Sequence, residues 1–208
     1  TIQFSFVADA IQAANNTANF NLTLQSTEQI IIPNIVEYLR VEKVAGIGSR
    51  GTTFAGALFA SVISGDMNGV VIGARTGSPG GGGQYGLFYN AVPFGASSTG
   101  TAGIDGLQQN AENRSNLAII NTGEIDNSSS VFEIDIYDGV TGILVKTVSV
   151  TVASKKWYQI GAILTYAPGT TQGYVKVRKT AGNNPFITYG VINDGGSPGQ
   201  RSGDGAYI

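Results

Sequence analysis

Apolar and polar residues alternate along much of this chain. Ile2, Phe4 and Phe6 are separated by Gln3 and Ser5, and Phe132, Ile134 and Ile136 by Glu133 and Asp135. A two-residue period puts each set on one side of an extended strand, so each run predicts a β-strand with one buried face. The run 144–152 alternates in the same way: Leu144, Lys146, Val148, Val150 and Val152 share a mainly buried side, and Val145, Thr147, Ser149 and Thr151 a mainly wet one. Gly, Asn and Ser interrupt these runs at spacings of roughly ten residues, the rhythm of short strands joined by turns. Only residues 33–40 and 160–166 carry a helical pattern, each too short for more than a turn or two. The pattern predicts an all-β chain whose short strands pack as two-sheet sandwiches.

The alternating blocks recur in order. The strand beginning at Ile2 resembles the one beginning at Phe132, each closed by an Asp (Asp9, Asp138). Residues 19–24 resemble 146–152, and 56–62 resemble 173–178 in pattern. Gly77-Ser-Pro-Gly80 returns as Gly196-Ser-Pro-Gly199, an offset of 196 − 77 = 119 residues, and residues 86–89 fall on 205–208 at the same offset. Such ordered self-similarity marks a duplicated unit. Residues 95–103 are built from small side chains and read as a flexible linker, which divides the chain into residues 1–97 and 98–208. The expected fold is therefore two tandem immunoglobulin-like β-sandwich domains. Before its Phe132 strand, the second copy carries Asn113-Arg-Ser-Asn-Leu-Ala-Ile-Ile-Asn121, which reads as a strand. The first copy has no counterpart before Ile2, so its first strand is expected to be lacking.

Composition changes what this fold is expected to do. There are no Cys and no His among 208 residues, charged residues make up 12%, and Gly occurs 30 times. Disulfides, zinc thiolates, cysteine nucleophiles and imidazole bases are thereby excluded. A net charge of -2 with no basic block argues against nucleic acid, whose phosphates need clustered Lys and Arg. No apolar run approaches the length of roughly 18 residues that a membrane-spanning helix requires. Beginning at Thr1, directly in a strand, suggests that a leader or longer N-terminal region has been removed, and export is the simplest reading. The expectation is an extracellular or cell-surface protein that is not an enzyme and needs no cofactor or metal.

Each group of residues that could carry chemistry also has a plainer reading. Residues 77–83, rich in Gly, could cradle a phosphate through backbone N–H groups, but lack the Lys-Ser/Thr ending and a following helix, which leaves a hairpin connection. Glu133, Asp135, Asp138, Asp194 and Asp204 supply the oxygens that Ca²⁺ prefers, yet without a calcium-loop spacing; Glu133 and Asp135 are more simply two members of one solvated face. Lys155-Lys156-Trp157-Tyr158 could stack on a sugar ring, whereas its counterpart near Ile30 and Ile31 is aliphatic, which favours the core. A Ser-Lys hydrolase finds no recognisable pairing. A glycosidase would need only two carboxylates. Asn15, Asn21, Asn113 and Asn127 each begin an N-glycosylation acceptor pattern.

The stretch Asn113-Arg-Ser-Asn-Leu before an alternating strand, together with Gly203-Asp-Gly-Ala-Tyr-Ile208 at the end, resembles the tandem β-sandwich repeats of secreted bacterial surface proteins. Those repeats carry an Arg-x-Asn-Leu strand and a closing Gly-Asp-x-x-Tyr-Ile. The resemblance implies an extracellular, immunoglobulin-like, non-catalytic module. A sandwich missing a strand exposes unpaired backbone groups that template pairing with another chain. The expectation is a structural subunit forming a homo-oligomer or homopolymer, a surface filament or layer, by strand donation, with Ile2, Phe4 and Phe6 as the exchanged segment. The alternative is a monomeric surface adhesin or carbohydrate-binding module that takes a surface glycan.

Overall fold

A computed structural model describes residues 1–9, 17–52, 54–76, 78–80, 83–194 and 205–207. Apart from one short helix and a single 3₁₀ turn, its regular structure is antiparallel β-sheet, so the chain is all-β. It divides into two compact units, the first of residues 1–70 with Lys155–Trp157, the second of the remainder.

The first unit holds strands β1 (Ile2–Ala8), β2 (Thr17–Leu22) and β3 (Gly56–Val62), paired in the order β2-β1-β3, and helix α1 (Ile35–Val41). Directly opposed residues share a face, so the register Phe4 with Phe20 and Ala60, and Phe6 with Ala18 and Leu58, assembles one apolar face across the sheet. Ile2, Phe4 and Phe6 are buried on it, and the Phe4 and Phe20 rings stack at 5.1 Å. Helix α1 begins where Pro33 is followed by Asn34, whose side chain accepts the Glu37 N–H at 3.0 Å and caps the first turn. Its Leu39 is wholly buried and packs with Phe6 and Ala18; Phe20, Tyr38, Val44, Ile47 and Phe54 surround them. Arg40 then pins the following loop, its Nε donating to Gly48 O (2.7 Å) and its Nη2 to Thr52 O (2.9 Å). Gly46, at φ +93°, passes so near the Thr17 carbonyl that any Cβ would lie 2.2 Å from its oxygen, which only Gly permits.

The second unit opens with short strands β4 (Gly73–Arg75), β5 (Ser78–Gly80), β6 (Gly83–Tyr85) and β7 (Phe88–Asn90), pairing β4 with β7 and β5 with β6. Eight further strands follow: β8 (Thr101–Gln108), β9 (Asn113–Asn121), β10 (Ser130–Asp138), β11 (Leu144–Val152), β12 (Trp157–Ile160), β13 (Gln172–Ala181), β14 (Phe186–Asp194) and β15 (Gly205–Tyr207). They form two four-stranded sheets, β11-β10-β13-β8 and β12-β9-β14-β15. One core joins both: Phe132, Ile134, Ile136, Val175 and Val177 from the first sheet meet Leu117, Ile119 and Phe186 from the second, all wholly buried. The Phe132 and Phe186 rings pack edge to face at 5.0 Å. This is a β-sandwich.

Two expected details take a different form. Residues 95–103 are not a linker. Ser98 exchanges backbone hydrogen bonds with Phe186 (2.9 and 2.8 Å), the Glu124 carboxylate accepts from the Gly95 N–H and the Ser97 hydroxyl, and the last three of these residues already belong to β8. The compact units accordingly part at Val70 and Val71 rather than at 97 and 98. A Thr-Ala-Gly run has the composition of a linker but equally that of an edge strand, and here the pairing with β13 decides. Strand order also departs from the immunoglobulin arrangement. The third sandwich strand still pairs with the sixth (β10 with β13) and the second lies beside the fifth (β9 and β12), but the first, β8, pairs with the sixth instead of the second.

In the first unit, α1 and the loop after it cover the apolar face of the three-stranded sheet where a sandwich would carry a second sheet. The strands matched by sequence pattern, β1 with β10, β2 with β11 and β3 with β13, occur in the same order in their sheets, β2-β1-β3 and β11-β10-β13.

Candidate functional site

The feature that sets the two units apart is a sheet edge. In the second unit β13 is paired on both sides, by β10 and by β8. Its counterpart β3 pairs with β1 on one side and with no described strand on the other. Antiparallel partners alternate between exchanging both backbone bonds and exchanging none. Ile63 N–H donates to Thr1 O at 3.0 Å and Asp9 N–H to Ala55 O at 2.9 Å, which makes the odd-numbered residues of β3 the ones bonded to β1. The backbone groups of Leu58, Ala60 and Val62 therefore point outward. Leu58 and Ile63 are exposed at this edge, 37% and 53%, in contrast to the buried Phe4 and Phe6 on β1. Strand β3 carries no Lys, Arg, Asp, Glu or Pro, the residues with which edges are commonly protected.

A second open edge belongs to β8. Lys179 N–H donates to Gly100 O at 3.0 Å, and the register pairs Val177 with Ala102 and Val175 with Ile104. Ala102 and Ile104 thus face β13, and the backbone groups of Thr101, Gly103 and Asp105 face away from it. All three residues are exposed, and a Cβ built on Gly103 meets nothing within 4 Å.

The outer face of the β11-β10-β13-β8 sheet is polar and ordered by cross-strand pairs. Arg178 binds Glu133 at 2.6 Å and lies 3.5 Å from Asp135, whose carboxylate also accepts from the Thr147 hydroxyl at 2.7 Å. Tyr137 and Tyr174, opposed in register, stack in parallel at 4.7 Å, with the Lys176 ammonium 5.1 Å from the Tyr137 ring. Glu133 and Asp135 do share one face, and Arg178 lies against both. Asp138 serves elsewhere: it caps the β10–β11 turn, and the Thr141 N–H, the Thr141 hydroxyl and the Val140 N–H hold its carboxyl below the usual range. Among the described residues no three acidic side chains converge on a point that could hold a metal ion. Asp204 lies outside the described residues.

One polar cluster has no counterpart in any sequence motif. The wholly buried Asn184 accepts the N–H groups of Ile125 and Asp126, both at 2.9 Å, and donates to Asp126 O (3.0 Å), Asp126 Oδ1 (3.1 Å) and Ser128 O (3.1 Å). Asn121, also buried, donates to Ser128 O and Val152 O. Hydrogen bonds from the Ser128 hydroxyl, the Asn183 amide and the Ser128 N–H lower the Asp126 carboxyl to about 2. These bonds satisfy one another and tie the β9–β10 loop to the β13–β14 turn. The cluster is structural.

The remaining sequence candidates scatter. Tyr158 packs against the sandwich core at the start of β12, as a core reading requires, and Trp157 is half-buried. Asn21 is exposed on β2 and Asn127 in the β9–β10 loop, whereas the Asn113 amide donates to Gln108 Oε1 at 3.1 Å. Asn15 and Gly77, with Gly81 and Gly82, lie outside the described residues; residues 78–80 and 83–85 pair as a hairpin. Ile2, Phe4 and Phe6 lie on the central strand of their sheet, paired on both sides. The strand expected to be lacking in the first copy, counterpart of residues 117–120, belongs in the second unit to β9, in the facing sheet. Beside β3 no described strand pairs at the side where β13, its match by sequence pattern, has β8.

No helix of the described residues is long and apolar enough to cross a membrane. No family model and no curated protein matches the chain. The chain is similar to the crystal structure of Thermotoga maritima 1070 at 13% identity and a TM-score of 0.42, over 53% of this chain and 91% of that one.

Proposed function

We propose that this chain is a non-enzymatic structural subunit of an extracellular assembly, joined to its neighbours by β-strand addition. The observation that carries this reading is the open β3 edge, whose counterpart in the second copy is filled. An unprotected edge offers a row of N–H and C=O groups with no cost of unfolding, and strand addition supplies main-chain bonds in a fixed register. Composition supports a structural role, because a chain without His or Cys lacks the commonest bases, nucleophiles and soft metal ligands. The ion pairing of Glu133 and Asp135 with Arg178 supports it as well, since it engages the one close carboxylate pair on this face. The resemblance to repeats of secreted surface proteins supports the location. Light scattering on the purified chain over rising concentration tests the reading: growth of the mass beyond the monomer is expected, and a strict monomer at millimolar concentration refutes it.

A second reading, a glycan-binding module, is favoured by the outer sheet face. The Tyr137 and Tyr174 rings beside Lys176, Arg178 and Asp135 combine apolar ring surface with hydrogen-bonding groups, the chemistry that a pyranose ring stacks on. Binding to a glycan array that is abolished by Tyr174→Ala is its expected sign, and binding to no glycan refutes it.

A further inference from the structure

We infer that the partner of the β3 edge is the outer edge of β8 in a second copy of this chain. The inference rests on the assembly reading above and identifies its two contacting surfaces. Three observations select β8. A strand of this kind is what the β3 counterpart already takes, since β8 pairs with β13 within the second unit. The lengths agree, seven residues in β3 against eight in β8. The outward positions are also clear of bulk and of positive charge: Leu58, Ala60 and Val62 on one side meet Thr101, Gly103 and Asp105 on the other. The other long edge, β11, carries Lys146, and β2 corresponds to β11, which is an edge in the second copy too, so neither position is missing a neighbour.

This contact differs from strand donation by the N-terminal segment. Releasing β1 would break its ladders to both β2 and β3, whereas joining two existing edges breaks no bond. Because the two edges are different surfaces of one chain, a pair of copies retains one open edge of each kind, and growth is head to tail.

Proline removes a backbone donor and is tolerated on an edge strand where its N–H would face outward. Ala60 and Gly103 are such positions, so Ala60→Pro blocks the β3 edge and Gly103→Pro the β8 edge, each sparing the internal ladder. Each variant alone is expected to remain a monomer under conditions in which the parent chain grows. An equimolar mixture is expected to form a dimer and stop, because one variant supplies an intact β8 edge and the other an intact β3 edge. Circular dichroism confirms folding, and if a proline variant unfolds, Ala60→Lys and Gly103→Lys test the same edges by charge. A parent chain that never leaves the monomer overturns the assembly reading and this inference with it. A parent chain that grows while the blocked variants grow equally overturns only the choice of edges. Loss of growth in one variant but not the other overturns it too, since it signals like edges pairing with like.

Discussion

Replacing Asn184 by Ala removes a wholly buried amide held by hydrogen bonds, and it should destabilise the second unit as much as a core truncation. The amide makes five hydrogen bonds, two accepted from backbone N–H groups and three donated, two of them to backbone carbonyls. Truncation leaves the Ile125 and Asp126 N–H groups without their acceptor, while the Asp126 and Ser128 carbonyls keep the Ser154 hydroxyl and the Asn121 amide. A net hydrogen bond contributes about 1 kcal/mol, and an unsatisfied buried group costs about 1–3 kcal/mol. Water can enter from the partly exposed loop and recover some of these bonds, so the expected loss is about 3 kcal/mol rather than the full sum. With a urea dependence of about 1–3 kcal/mol per molar, the unfolding midpoint should fall by roughly 1–3 M. Urea unfolding followed by far-ultraviolet circular dichroism measures this, with the exposed Asn127→Ala as control. Hydrogen exchange should show faster opening at Ile125 and Asp126 before any change in β13. If Asn184→Ala matches Asn127→Ala to within about 0.5 kcal/mol, the spread ordinary for surface substitutions, the cluster does not hold the loop and the reasoning fails.

Asp126 makes the same loop sensitive to acid. Its folded pKa, about 2, lies below the ordinary 3.8, so its stabilisation is full above about pH 4 and is lost as pH falls towards 2; Asp126→Asn should flatten the urea midpoint over that window. Phe132→Ala, at a wholly buried ring packed on Phe186, should cost about 3–5 kcal/mol, while Phe94→Ala, at a ring 84% exposed, should shift the thermal midpoint hardly at all. Gly46→Ala should destabilise the first unit, because its Cβ would collide with the Thr17 carbonyl; an unchanged melting curve would contradict the close approach. Arg178→Ala should leave stability nearly intact, since its ion pairs are half exposed, and a double-mutant cycle with Glu133→Ala should return a coupling below about 1 kcal/mol.

Where a side chain's environment follows from its neighbours at spacing two, the amino-acid sequence alone reveals it. The shared burial of Ile2, Phe4 and Phe6 and of Phe132, Ile134 and Ile136 is of that kind, and so are the short helical turns at Ile35–Val41 and Ile163–Tyr166. In β11 the rule holds only partly. Val152 is buried and Val148 and Val150 are half-buried, but Leu144 and Lys146 are exposed, because the ladder shifts register by a bulge opposite Tyr137 and the strand is an edge. Composition misleads at residues 95–103, where smallness serves a paired strand. It also conceals the Asn184 cluster. Asn121, Asp126, Ser128, Asn183 and Asn184 are the residues of ordinary turns, and only the proximity of two loops turns them into a buried network. The usable signal is the pairing of Asn183-Asn184-Pro185 with Asp126-x-Ser128, two Asx-turn formers at the same end of adjacent strand connections.

The strand order shared by β2-β1-β3 and β11-β10-β13 says more about the open edge than either unit does alone. A single sheet with an open edge is commonplace, since every open sheet has two. Here the three strands matched by sequence pattern keep one order in both units, and in the second unit the β13 edge takes β8 as its neighbour. The cover of the first unit points to the same place. Helix α1 and the loop after it bury the face over β1 and β2 where Phe6, Ala18 and Phe20 lie, and exposure rises across to Leu58 and Ala60 on β3. The unpaired backbone and the least covered side chains thus coincide on one strand. A strand added at β3 satisfies the outward groups of Leu58, Ala60 and Val62 and gives Leu58 a lateral neighbour in one event. At β2 or β11 an added strand would find a position that is a sheet edge in both units.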